Sequence, residues 1–192
     1  DAVPRDDPVP LEEELCERLA FGSRFVIRYD LRDTGQSVSY EPGAPQYGGQ
    51  DLVADAVGVL DVLRVGRAHV VGISMGGGIA LHLALNHADR VASLTLISTR
   101  PGGPGLPPMS DELRARFAHA AAQPYWSDRQ VVVDYVVEDV RGYAGSVTLN
   151  EEGLRALAGR IVDRTANIES DMTNHSILEG GEPLRHRLCE LT

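Results

Sequence analysis

Basic residues are scarce in this chain. Eighteen Lys and Arg stand against 28 Asp and Glu, which leaves a net charge of -10. That balance argues against nucleic acid and against an anionic membrane surface as partners, because both are recognised by basic surface. Long apolar runs are missing too: no stretch reaches the roughly 18 residues of a membrane-spanning helix. Cysteine is limited to Cys16 and Cys189, which excludes a disulfide scaffold and leads us to expect two reduced, half-buried thiols in predicted helices and a cytoplasmic location. The chain opens with DAVPRDDPVP, with neither a Met nor the basic-then-apolar layout of a signal peptide. Further sequence is therefore expected to precede residue 1.

What is present suits one folded domain. There are 192 residues, 43% hydrophobic and 24% charged, enough for a sizeable core. Leu11, Leu15 and Leu19 recur every four residues and predict a helix over 11–20, stopped by Gly22. RFVIRY, residues 24–29, is β-branched and aromatic and predicts a strand. Residues 30–37 and 40–49 are polar or rich in Gly and Pro and predict loops. Helical spacing returns over 51–63. AHVVGI, residues 68–73, predicts a buried strand, 76–87 a helix and 91–98 another strand. This alternation of helix and strand implies a parallel sheet with helices on its faces.

After Thr99 the pattern changes. Residues 101–108, PGGPGLPP, cannot continue helix or strand. Helices are predicted from Ser110 to Phe117, from Val131 to Arg141 behind a Ser127/Gln130 capping box, and from Glu151 to Arg164 behind Asn150. A short one is predicted over 170–178, and a last one from Pro183 towards Leu191. The expected division is a core at 1–100, a helical lid at 101–180 and a returning core helix at 181–192. A plain second subdomain without gating is the alternative for the middle block.

The sharpest chemical signal is Gly72-Ile73-Ser74-Met75-Gly76. It matches G-x-S-x-G and falls between a predicted strand and a predicted helix. A sharp turn there puts Ser74 in strained backbone angles and lifts its hydroxyl clear of the sheet. Glycine at 72 and 76 is expected to remove Cβ atoms that would collide across the turn. The following helix N-terminus directs N–H groups at a developing oxyanion, with the Met75 N–H as the expected donor. The bland alternative is a Gly-rich turn with an incidental serine.

Four stretches now carry a resemblance: residues 14–37, containing ELCERLA and FVIRYDLRDTGQS; DLVADAVGVLDVL at 51–63; RAHVVGISMGGGIAL at 67–81; and NHADRVASLTLIS at 86–98. Over 11–192 the chain resembles the α/β-hydrolase superfamily, and is especially similar to the bacterial branch that includes the aclacinomycin methylesterases. The resemblance implies a partial α/β-hydrolase sheet of parallel strands with flanking helices, plus a helical lid. It implies hydrolysis of a small, apolar ester through an acyl-enzyme on Ser74, with no organic cofactor and no metal. Relatives that cleave C–C bonds, lactones or peracids keep those substrates open, as does a non-catalytic domain that binds a small ligand.

The departures from the family pattern matter as much. The family order is Ser, then an acid, then His, and the chain stops where the strand before that acid is expected. The loop that supplies the second oxyanion donor, and the strand before it, would precede residue 1. That strand belongs between the strands predicted at 24–29 and 68–73. Without it, buried edges stay unpaired at roughly 1–3 kcal/mol per backbone group. The expectation is a central fragment, inactive alone. Six histidines are candidates for a substitute base: His69, His82, His87, His119, His175 and His186. Only His175, one helical turn after Asp171, suggests a pairing, and a solvated helical pair is the plainer reading. Asp30, at the end of a predicted strand, is a candidate supporting residue of the site or, more plainly, a loop organiser joined by Arg32 and Asp33. Ser37, Ser98 and Thr99 read as polar loop residues. Val131, Val132, Tyr135, Val136 and Val140 suit lid packing, and Tyr125 with Trp126 suits a hinge or a surface patch.

Overall fold

The computed structural model describes residues 11–111, 114–115, 123–143, 148–178 and 181–191. By internal contacts the chain forms two units. One draws on Asp1–Ser39 and Ala122–Asp171, the other on Tyr40–Ala121 and Met172–Thr192.

The second unit is built on a β-α-β repeat. Helix α2 (Gly49–Val62) leads to strand β1 (Ala68–Ile73), helix α3 (Met75–Asn86), a 3₁₀ turn at Ala88–Arg90 and strand β2 (Val91–Ile97). The strands pair in parallel, with Val71 opposite Thr95 and Ile73 opposite Ile97. A parallel pair needs a crossover, and α3 supplies it by packing on both strands and on α2. Leu52, Val53, Ala56 and Leu60 of α2 and Ile79, Ala80, Leu81, Leu83 and Ala84 of α3 make the core. Helix α3 is apolar almost all round because β1, β2 and α2 all border it. Side chains alternate across the strands, so Val71 and Ile73 leave the face opposite α3 and remain 56% and 57% exposed. His69 and Ser93 share that face, with Nδ1 2.8 Å from Oγ.

The first unit contains helix α1 (Leu11–Ala20) and the hairpin of α4 (Arg129–Arg141) and α5 (Glu151–Arg164). Helix α6 (Ile168–Ile177) follows. Val132, Val133, Val136 and Val137 of α4 bury against Leu154 and Ala158 of α5. Ion pairs Arg129–Asp163, Arg155–Asp134 and Arg141–Glu151 lace the exposed side of the hairpin.

Several expectations are corrected. Residues 24–29 are not a strand, because no ladder partner meets them among the described residues. A strand exists only through pairing, whatever its propensity. Phe25 is left 76% exposed, and Leu15 and Leu19 of the α1 stripe are also exposed. Helix α4 is capped by Asp128, not Ser127: its carboxylate accepts from the N–H groups of Gln130 and Val131. Asn150 caps α5 as expected, accepting from Gly153 N–H. The last helix is a 3₁₀ helix, Arg185–Glu190. In the helix expected at 110–117, Asp111, Arg114 and Ala115 are helical, Ser110 precedes them outside the helix, and 112–113 and 116–117 lie outside the described residues. Both cysteines are free, Cys189 being exposed.

Candidate functional site

The turn between β1 and α3 is the most constrained backbone in the second unit. Ser74 has φ 51° and ψ -116°, a region that costs a non-glycine residue about 1–3 kcal/mol. Three backbone hydrogen bonds over-determine it. The Ser74 N–H donates to Ile97 O at 2.9 Å, and Ser74 O accepts from Gly77 and Gly78 N–H at 3.0 and 3.2 Å. The first ties the turn to the end of β2, and the other two tie it to the first turn of α3.

A serine at a helix N-cap ordinarily spends its hydroxyl on an N–H two or three residues on. Ser74 is the N-cap of α3 and makes no such bond. Its side chain is exposed. Met75, 37% exposed, is the first helical residue, so its N–H has no acceptor within the helix. The turn therefore presents a hydroxyl beside a helix N-terminus.

The glycines divide differently from expectation. A Cβ on Gly72 would lie 2.6 Å from Gly77 Cα and collide with the Gly76 carbonyl. Gly76 itself faces open space, with nothing within 4 Å of its ideal Cβ. The second steric requirement falls on Gly77, whose Cβ would come 2.5 Å from Thr99 Cγ2. The expected collision at 76 is absent because that position points outward from the first turn of α3, whereas 72 and 77 face each other and β2. Thr99 is thus a packing partner of the turn. Ser98 beside it also has positive φ, 49°, which nothing in its sequence context signalled.

No described histidine or carboxylate bonds the Ser74 hydroxyl. His69 is engaged with Ser93. His82 lies on α3, and burial, ahead of the opposing charge of Glu182, pulls its pKa down. His87 ends α3, with its N–H on Leu83 O. His175 meets Tyr47 edge-on at 6.2 Å. His186 is exposed, and His119 lies outside the described residues. The Asp171 carboxyl takes a hydrogen bond from Thr165, and burial followed by the charges of Asp33 and Asp30 pushes its pKa up to about 6.

Asp30 belongs to the first unit and is fully engaged there. Both of its carboxylate oxygens accept from Arg164, each at 2.8 Å, and Oδ2 also accepts from Gln36 N–H at 3.1 Å. The Arg164 guanidinium, first among the causes, holds its pKa below the usual value. Ser37 Oγ donates to Asp30 O at 2.7 Å. This is the loop-organising role. Trp126 packs edge-on against Tyr135 at 5.6 Å, and Tyr125 is 76% exposed. Among the described residues no group of His, Cys, Asp or Glu is arranged to hold a metal.

A family model described as the alpha/beta hydrolase fold matches residues 10–159. The chain belongs to that family. Rhodomycin D methylesterase DauP from Streptomyces sp. (strain C5) is 47% identical over 85 residues, which cover 44% of this chain and 28% of that protein. The 2-hydroxymuconate semialdehyde hydrolase of Pseudomonas sp. (strain CF600) is 46% identical over 77 residues, covering 40% of this chain and 26% of that one. Among solved structures, a probable hydrolytic enzyme from Pseudomonas aeruginosa PAO1 aligns with TM-score 0.57 and 24% identity, over 94% of this chain and 56% of that one. This likeness extends the fold over nearly the whole chain. The chain spans little more than a quarter of the length of these two sequence relatives.

Proposed function

We propose that this chain carries the nucleophile segment of a serine hydrolase that acts on apolar carboxylic esters. The observation that supports this best is Ser74 itself. It holds an exposed hydroxyl on a left-handed backbone at a helix N-terminus, and does not use that hydroxyl to cap the helix. Strain retained at a turn built around Gly72 is the kind that persists where geometry serves chemistry.

In the whole enzyme, Ser74 Oγ attacks the ester carbonyl and forms an acyl-enzyme while the alcohol leaves. The Met75 N–H donates a hydrogen bond to the developing oxyanion as one donor of the oxyanion hole, a contribution of about 10²–10³ in rate. A His takes the Ser74 proton, passes it to the leaving alcohol and then activates water, and an acid orients that His. With no base bonded to Ser74 among the described residues, the 192-residue chain is expected to turn over ester negligibly. The two free thiols suit a reducing compartment, and we place the protein in the cytoplasm.

The test is a pre-steady-state burst with a short-chain p-nitrophenyl ester, using a complete hydrolase chain that contains this segment. A burst matching the enzyme concentration, lost in Ser74→Ala, is expected. A burst that survives Ser74→Ala overturns the proposal. The similarity to a 2-hydroxymuconate semialdehyde hydrolase supports a second reading, C–C bond cleavage. Turnover of a vinylogous 1,5-diketone without ester turnover would decide for it.

A further inference from the structure

A cleft lies within the first unit and does not depend on the assignment at Ser74. Its walls come from α1, from residues 28–30 and from α5. On α5, Leu157, Arg160, Ile161 and Arg164 recur at i, i+3, i+4 and i+7, so they form one stripe along the helix. Leu154 and Ala158 occupy the neighbouring face and are buried. The other wall is Glu13 of α1 with Arg28, Tyr29 and Asp30. In a chain with a net charge of -10, three arginines on one cleft concentrate the scarcer charge.

The two acids of the cleft do not serve the three arginines evenly. Arg164 is committed to Asp30, binding its two carboxylate oxygens at 2.8 Å each. The loop behind that pair is fastened as well. Gln36 N–H donates to Asp30 Oδ2 at 3.1 Å, Ala166 N–H donates to Gly35 O at 2.8 Å, and Asp33 sits in left-handed backbone at φ 67°. Arg28 is held by one contact, Nη2 to Glu13 Oε1 at 3.3 Å, with both side chains solvated. Arg160 has no carboxylate partner among the described residues, and it stands one helical turn from the like charge of Arg164. Three positive and two negative side chains leave the cleft with a charge of +1.

Water alone satisfies an exposed guanidinium. The observation that points to a ligand is the apolar surface beside Arg160: Leu157, Ile161 and the Tyr29 ring share a cleft of about 390 Å³, within the roughly 300–1,000 Å³ of small-molecule sites. We propose that this cleft binds a small organic monocarboxylate with an apolar body. Arg160 offers its planar fork to the carboxylate, a geometry that guanidinium matches with two parallel hydrogen bonds. Leu157, Ile161 and Tyr29 cover the body. The charge of +1 suits one negative charge, and Glu13 and Asp30 repel the second charge of a phosphate dianion. Arg164 stays on Asp30 and serves as the fixed end of the wall.

The test is calorimetric titration of octanoate into a complete chain containing these 192 residues. Arg160→Met is expected to weaken binding on the order of tenfold or more, and Arg160→Lys, which keeps the charge and loses the fork, to fall between. Arg155→Met removes the same charge from an α5 arginine that pairs with Asp134 outside the cleft, and is expected to leave binding unchanged. Octanamide, without the charge, and acetate, without the body, should each bind at least about tenfold more weakly than octanoate. The unsubstituted protein supplies a check free of folding defects: saturating octanoate should show nuclear Overhauser contacts to the Ile161 methyl groups. No octanoate binding, unchanged affinity in Arg160→Met, an equal loss in Arg155→Met, octanamide or inorganic phosphate binding as tightly as octanoate, or no contact to Ile161 at saturation each overturns the proposal.

Discussion

The turn at Ser74 and the loop at 30–38 both hold a non-glycine residue in left-handed backbone, and they do so by opposite means. At Ser74 the constraint is steric and backbone-borne: three main-chain hydrogen bonds and a glycine at 72 pressed against α3, with no ionisable side chain in the turn. At 30–38 the constraint is electrostatic: a bidentate ion pair, a buried Asp33 and a nearby Asp171. Backbone geometry of the first kind keeps its shape across pH and salt. Charge geometry of the second kind responds to both.

The comparison breaks most directly at Gly72. Gly72→Ala places a methyl group against backbone that cannot move aside, and should cost about 3 kcal/mol or more. Gly76→Ala, two positions beyond the serine and facing open space, should be close to neutral. Denaturant unfolding of the two variants checks this, and equal losses would remove the steric account of the turn. Ser74→Gly should relieve the left-handed strain and leave the protein up to about 1 kcal/mol more stable than Ser74→Ala. The same unfolding measurement decides it. A smaller loss, also about 1 kcal/mol, is expected for Asp128→Ala, which strips two N–H acceptors from the start of α4; helix content by circular dichroism and the unfolding midpoint both read it.

The charged region should respond more gently. Arg164→Met is expected to cost less than about 1 kcal/mol at neutral pH, since the pair is partly solvated. The Asp30 pKa is depressed in the folded state, so the pair's contribution is present above pH 3.8 and is lost as pH falls through the lowered value. Unfolding free energies of the two proteins should therefore converge on acidification. A gap that stays constant down to pH 2 would show that Arg164 acts by packing alone.

What could be read from the sequence follows the same division. The sharp turn at Ser74 was legible because steric demands are local: a serine between a β-branched run and a Gly-rich helix start is a pattern six or seven residues long. Even so, the second steric glycine is one residue further on than expected, because position 77 is set by Thr99, two residues past the end of β2. Helix α5 and its Asn150 cap were legible for the same local reason. The cap of α4 was not: Ser127 and Asp128 are both competent, and only the fold chooses the carboxylate that reaches two N–H groups. Residues 24–29 have strand composition, yet a strand is defined by a neighbour, and propensity carries no information about one. The Asp30–Arg164 ion pair was illegible in principle, since no periodicity connects Asp30 to a partner 134 residues away.

The most direct test of the central claim is covalent labelling of a complete hydrolase chain containing this segment with a p-nitrophenyl alkylphosphonate, followed by peptide mass mapping. The account predicts one adduct per chain, on the peptide bearing Ser74, and none in Ser74→Ala. An adduct on any other residue, or equal labelling of Ser74→Ala, would contradict it.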